Sequence, residues 1–462
     1  MTTHAERGRL AAGRRRLRRA GVWACLSALL VLAVPLPGAL AQDAGPAIII
    51  TPGEARTFRV AVQQFADTNE PPRPELVEEL RASIHAGLAF SSVLEPLEDD
   101  AFLGDLQTTE MPSRQRTDCV DWVTGGADAL VEGRLGRDGQ RMTIEYQVWD
   151  TARCVRIDRG EFEEPARLLE RTGRLLADSV VEAFTGMPGV SATEIAFVSD
   201  RGGQRAVYVM DADGSRQRAA TTGESIKAFP DWMPDGGAIV YTGYRDLEPP
   251  RLYITSRGGS RPGPILTKVL PGFAKYRGVF SPDGRRLAFV SSLDGLSELF
   301  SVDRSGKRLR RLTSNRAIDI SPTWSPDGDR IAFVSDRAGA PQIYVMDDDG
   351  SNVRRLTYNG GYNTHPAWSP DGRWIAYETR VEGGRFDIWL IDPEGDVNVP
   401  LVTHPRSDES ASWSPDSRKI SFASNRRGRS DIYVVDLDGE NVRRLTRQQG
   451  DNLQPAWGPF TR

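Results

Sequence analysis

Few residues in this 462-residue chain are of a type and spacing that could do chemistry. His85, His365 and His404 are far apart, and none stands at metal-ligand spacing from another. A Gly-x-Ser-x-Gly nucleophile elbow, a Walker loop, a dinucleotide fingerprint and a His-Glu-x-x-His pair are all missing from the sequence. The Asp-x-Asp-Gly stretches starting at Asp211, Asp347 and Asp436 resemble the opening of calcium loops. They lack the later ligands and the bidentate Glu, so hairpin turns are favoured. What stays open is a carboxylate-only site, with Asp408 and Glu409 as its candidates, and a disulfide between Cys119 and Cys154 rather than two unpaired buried thiols. The expectation is a chain with no catalytic residues, no metal and no cofactor.

The elements that would position any site come from a repeat. From about residue 190 a proline-centred turn, Ser-Pro-Asp-Gly in its commonest form, recurs with its proline at Pro234, Pro282, Pro326, Pro370, Pro415 and Pro459. A period of about 45 residues is that of propeller blades, each a four-stranded antiparallel sheet. Within one copy, Ile331, Phe333 and Ser335 alternate with Ala332 and Val334, and Ile343-Tyr344-Val345-Met346 is a second strand rich in β-branched and aromatic residues. The first unit starts at Thr193 without a Pro-x-Trp strand, and the last ends on Pro455-Ala456-Trp457 with nothing after it. Pairing the two ends predicts an all-β six-bladed propeller over 189–462, closed by the C-terminal strand. Trp232, Trp324, Trp368, Trp413 and Trp457, with Phe280 in the remaining slot, fit interblade packing better than a ligand-stacking ring.

Ahead of the repeat, residues 42–188 read as an α+β domain. Phe58–Val62 is an early strand, and Pro74 opens a helix with the stripe Leu76, Leu80, Ile84 and Leu88. Met142, Ile144, Tyr146 and Val148 alternate along a strand whose hairpin partner holds Cys154, Val155 and Ile157. Pro165 is read as the start of a final helix, with Leu168, Leu169, Leu175, Leu176, Val180 and Phe184 inward and Thr185-Gly186 at its end. Residues 1–41 read as a cleaved export signal: seven Arg, an apolar stretch from Ala20 to Val34, then Ala39-Leu40-Ala41. That stretch is too short to span a bilayer. Removing seven Arg and Glu6 from 59 cations and 63 anions leaves 52 and 62, so the charge falls from −4 to −10. An acidic chain without a basic stripe is a poor nucleic-acid binder. Only five cations are lysines, at 227, 268, 275, 307 and 419. Ile48, Ile49 and Ile50, beside the new N-terminus, suit an edge strand or a segment that docks on a partner sheet.

An exported α+β domain followed by these Pro-x-Trp-Ser-Pro-Asp-Gly blades resembles the TolB family, periplasmic propeller proteins of the Tol–Pal system. The short apolar N-terminal segment, the Thr185-Gly186 junction and the terminal Pro455-Ala456-Trp457-Gly458-Pro459-Phe460 carry the likeness beyond the blade motif. The resemblance implies a monomeric periplasmic scaffold that maintains outer-membrane integrity and supports cell division. It binds the Pal lipoprotein at the propeller mouth and TolA through the N-terminal segment, here Ile48, Ile49 and Ile50. It also implies no nucleic acid and no membrane insertion after signal cleavage. Contacts on Pal come, in the family, from the loops leading into the innermost strands. In this chain those loops carry Lys227, Ala228 and Phe229; Lys275, Tyr276 and Arg277; Asp319, Ile320 and Ser321; Asn363, Thr364 and His365; Asp408, Glu409 and Ser410; and Asn452, Leu453 and Gln454. The chain departs from the family where a His and a Thr are usual, with Ala274 or its neighbours and Ile320 in those loops. The alternative is a secreted propeller enzyme or carbohydrate-binding module using the same mouth.

Overall fold

The computed structural model describes residues 57–98, 119–223, 225–259, 262–293, 295–447 and 450–460. The export signal and the Ile48–Ile50 segment lie outside the described residues.

The first part is a six-stranded mixed sheet with two long helices on it. Strands β1 (Phe58–Val62), β2 (Ala66–Asp67) and β3 (Leu94–Pro96) flank α1 (Pro74–Ser91), and α2 (Val120–Thr124) precedes β4 (Ala129–Asp138), β5 (Arg141–Asp150) and β6 (Val155–Pro165). The order is β3-β1-β4-β5-β6, with β2 beside β4. β1 pairs in parallel with β3 and β4, whereas β4, β5 and β6 form an antiparallel meander. The inward residues of β5, Met142, Ile144, Tyr146 and Val148, face Leu80, Ile84 and Leu88 of α1 and Leu176, Val180 and Phe184 of the last helix in one core. That helix, α3, runs Leu169–Thr185. Pro165 does not start it: it ends β6, and a 3₁₀ turn at Ala166–Leu168 separates strand from helix. Pro lacks an N–H and suits a strand's last position as well as a helix's first, so the proline alone did not decide the boundary. Helix α3 lies against α1 where Gly173 faces Ser83; a Cβ on Gly173 would come 2.6 Å from the Cβ of Ser83. Cys119 and Cys154 form a disulfide that ties the start of α2 to the β5–β6 turn.

Six four-stranded antiparallel sheets follow. We number the blades by their inner strands: Ile226–Trp232, Lys275–Phe280, Asp319–Trp324, Asn363–Trp368, Asp408–Trp413 and Asn452–Trp457. The sixth inner strand pairs with Glu194–Ser199, Asn452 opposite Ser199 and Trp457 opposite Ile195, so the two ends of the array close the ring and hide both sheet edges. The five tryptophans are buried and fasten blades together. Trp232 Nε1 donates to the Ala456 carbonyl at 2.9 Å, Trp413 Nε1 to Ala367 at 2.9 Å and Trp324 Nε1 to Val279 at 3.2 Å, each carbonyl lying in the preceding inner strand. The Asp-x-Asp-Gly stretches are hairpin turns, with Gly350 N donating to the Asp347 carbonyl at φ +89° and Gly214 N to that of Asp211.

The α+β part meets the propeller at the lower turns of blades five and six. Lys419 Nζ, buried, donates to Ser92 Oγ at the end of α1 and to Asp436, and lies over the Phe90 ring. Phe90 also packs on Trp457 of the closing strand. Arg174 of α3 pairs with Asp211 at 2.7 Å and Asp213 at 3.0 Å. Asp178 accepts hydrogen bonds from Ser191 N, Ser191 Oγ and Ala192 N, so α3 holds the segment entering the propeller.

Candidate interaction surface

Each inner strand starts at one face of the ring and runs down the axis, and its third residue, the fourth in blade one, does something the sequence did not announce. Phe229, Arg277, Ser321, His365, Ser410 and Gln454 all have φ between 47° and 59°, in the left-handed region, although none is glycine. Pairing with the second strand slips at this point in every blade, so each is a bulge that turns its side chain toward the axis. Holding a non-glycine residue there costs about 1 kcal/mol per site. At three of the six sites the neighbouring blade offsets this by catching the bulge amide. Phe229 N donates to Gln454 Oε1 at 2.8 Å, Arg277 N to Thr242 Oγ1 at 3.0 Å and Ser410 N to Glu378 Oε1 at 2.5 Å. A proline follows the bulge in four blades and penalises the right-handed helical region for the residue before it; that recurring Pro was the available sequence signal.

The six bulges line an axial cavity of about 180 Å³. Arg277 stacks on Phe229 with its guanidinium carbon 3.8 Å from the ring centre, and its Nη1 donates to Ser321 Oγ at 2.5 Å. Burial pulls the Arg277 pKa below its ordinary value, against the opposing charge of Glu378. His365 Nδ1 lies 3.0 Å from Glu378 Oε2, while its Nε2 is buried with no partner among the described residues. Burial, reinforced by Glu378, raises the Glu409 carboxyl. Asp231 in the channel wall is pushed up to about 7 by burial.

The loop residues divide into two groups. At the start of the inner strands, Lys227 (second in its strand) and Lys275, Asp319, Asn363 and Asp408 (first in theirs) are buried, so their side chains do not form the surface expected of them. Lys227 Nζ donates to the Gly223 carbonyl at 2.6 Å, and Lys275 Nζ to those of Leu270 and Phe273. Asp319 holds Arg337 at 3.1 Å and Asp408 holds Arg426 at 2.8 Å; Asn363 donates to the Gln342 side chain. These residues fix loop shape from within. Thr364 is buried as well. Phe229, Tyr276, Arg277, Ile320, His365, Glu409 and Gln454 are half-buried around the opening. Sequence reasoning missed the rim. Ile226, Leu247, Phe273, Ile318 and Tyr358 stand exposed on loops of this same face, from the entry to blade one round to the entry to blade four. Such an arc of exposed apolar side chains on a rigid ring is a surface for protein recognition.

No group of His, Cys, Asp and Glu among the described residues could hold a metal ion, and no helix among them is long and apolar enough to cross a membrane.

Comparison with known proteins gives the same architecture. The crystal structure of TolB from Acinetobacter baumannii superposes with a TM-score of 0.74, covering 88% of this chain and 97% of that one at 24% identity, which is a likeness of fold. The Tol-Pal system protein TolB of Anaeromyxobacter dehalogenans strain 2CP-1 is 36% identical over 442 residues, 94% of this chain and 98% of the relative. That of Bordetella pertussis strain Tohama I is 35% identical over 350 residues, 74% of this chain and 77% of its own. The TolB amino-terminal domain model matches residues 46–157 and the TolB beta propeller domain model residues 181–461. Matched from its first domain through its closing strand, the chain belongs to the TolB family.

Proposed function

We propose that this protein is a periplasmic, non-catalytic scaffold of the Tol–Pal system, binding the Pal lipoprotein at the propeller mouth and TolA through its N-terminal segment. Its role is to maintain outer-membrane integrity and support cell division. The observation that carries the reading is the mouth itself: six bulged inner strands bring one side chain per blade to a single opening, bordered by Ile226, Phe273, Ile318 and Tyr358. A rigid scaffold presenting loops in this way binds without paying to order them. The relatives' name, Tol-Pal system protein TolB, supplies the system. Titrating the mature protein with its cognate Pal domain tests the mouth, and saturable binding at micromolar concentration is expected. For TolA, deleting residues 42–52 should leave the melting transition intact and remove binding. Loss of the melting transition would assign that segment to the fold instead.

A further inference from the structure

The propeller's lower turns carry a charge inversion that the Tol–Pal reading does not use. Between third and fourth strands, blades three to six each have an acidic turn: Asp347-Asp-Asp-Gly, Asp392-Pro-Glu-Gly, Asp436-Leu-Asp-Gly and Asp211-Ala-Asp-Gly. Blade two has Asp303-Arg304-Ser305-Gly306-Lys307. Lysine is scarce in this chain, and Lys227, Lys275 and Lys419 are buried. The remaining two, Lys268 and Lys307, are exposed and line one groove together with Arg304. No ion pair among the described residues engages these three cations. The one carboxylate in the groove, Asp303, is occupied by its own turn, accepting from Ser305 Oγ at 2.6 Å and Lys307 N at 2.7 Å.

Beneath the cations the groove is apolar. Ile265 and Leu266, partly buried, and Val269 belong to the core cluster between blades one and two. The basic turn sits directly on them: a Cβ on Gly306 would lie 3.5 Å from Val269 Cγ2 and 4.0 Å from Leu266 Cδ2. The volume, about 560 Å³, is within the roughly 300–1,000 Å³ of small-ligand sites. The adjoining outer strand is only Gly263–Pro264, and proline has no N–H to offer an added strand, which disfavours an extended peptide.

We infer that this groove binds an anionic amphiphile, a single alkyl chain with a phosphate or carboxylate head: the head between Lys268, Arg304 and Lys307, the tail over Ile265, Leu266 and Val269. In a chain of net charge −4, three cations without an ion pair among the described residues, set above an apolar floor, complement that chemistry.

The test uses the mature protein and decyl phosphate below its micelle concentration, followed by calorimetry. The expected result is saturable one-to-one binding that weakens by about fourfold for each methylene removed from the tail. It should weaken about tenfold in Lys268→Gln/Lys307→Gln, the loss of two exposed ion pairs. Ser305→Asp, which restores the acidity of the other blades, should weaken it as well; melting curves verify that each variant is folded. Decyl maltoside, with the same tail and a neutral head, should bind at least about tenfold more weakly. Absence of saturable binding overturns the inference, as does equal binding of the neutral-headed probe or unchanged affinity in the folded double variant. Inorganic phosphate binding as tightly as decyl phosphate, or an acidic peptide displacing it at lower concentration, overturns it too.

Discussion

Replacing Lys419 by Met is the sharpest perturbation the fold offers, because one ammonium joins the α+β part to the propeller. Its Nζ reaches Ser92 Oγ at 2.6 Å, the Asp436 carboxylate and the face of Phe90, at 4% exposure. Burial drives the lysine pKa below its ordinary value, and the carboxylate opposes that shift. Breaking a buried pair from one side costs about 3–5 kcal/mol, since the partner charge stays buried and uncompensated. Asp436 keeps one donor, Asn441 Nδ2 at 2.7 Å, so the lower end, about 3 kcal/mol, applies. Removing both charges, in Lys419→Met/Asp436→Asn, should cost only about 1 kcal/mol, so urea unfolding should show the double variant about 2 kcal/mol more stable than Lys419→Met alone. Hydrogen exchange at residues 89–92 should quicken in the single variant and recover in the double. A double variant as unstable as the sum of the two singles would refute the pairing argument.

Three further outcomes follow from the same geometry. Asp178, buried between α3 and Ser191, is pushed up to about 6 from a usual value of 3.8, mainly by desolvation. Because the folded pKa is raised, its stabilising effect is full below about pH 4 and lost as pH rises through 6, a change on the order of 2–3 kcal/mol that Asp178→Asn should remove from the stability–pH profile. Reducing the Cys119–Cys154 bridge, which spans 35 residues, should lower stability by ~4 kcal/mol in denaturant titrations, with Cys119→Ser/Cys154→Ser doing the same. Truncating the chain before Asn452 removes the strand that pairs with Glu194–Ser199; the product should lose its cooperative melting transition and self-associate in sedimentation through the opened sheet edges.

Much of the fold was legible because repetition magnifies weak signals. A single Ser-Pro-Asp-Gly is a turn, whereas Pro234 to Pro459 at near-constant spacing is a propeller, and the unmatched Pro455-Ala456-Trp457 fixed how it closes. The tryptophans kept their structural reading: all five are buried, and the Nε1 groups of Trp232, Trp324 and Trp413 donate to a neighbouring blade's carbonyl. The site was less legible. Lys227 and Lys275 look like surface cations in a loop, but loop carbonyls of Gly223, Leu270 and Phe273 need donors, and a long flexible side chain folded inward supplies them. The left-handed bulges carry no glycine, so the usual mark of positive φ is missing, and in three blades the adjacent blade holds the bulge amide. Pro165 was ambiguous for a local reason, being equally acceptable at the end of a strand and the start of a helix. The arc from Ile226 to Tyr358 depends on which loops share a face, which only the blade topology decides.

The central claim is that the mouth binds a protein partner, and a calorimetric titration with the cognate Pal domain tests it most directly. The account predicts saturable micromolar or tighter binding by the mature protein. Ile318→Asp, a rim position 45% exposed, should weaken it by about 2 kcal/mol, roughly thirtyfold, while Lys307→Gln on the opposite face leaves it unchanged. No detectable binding at micromolar concentration, or a loss that follows Lys307 and spares Ile318, would contradict it.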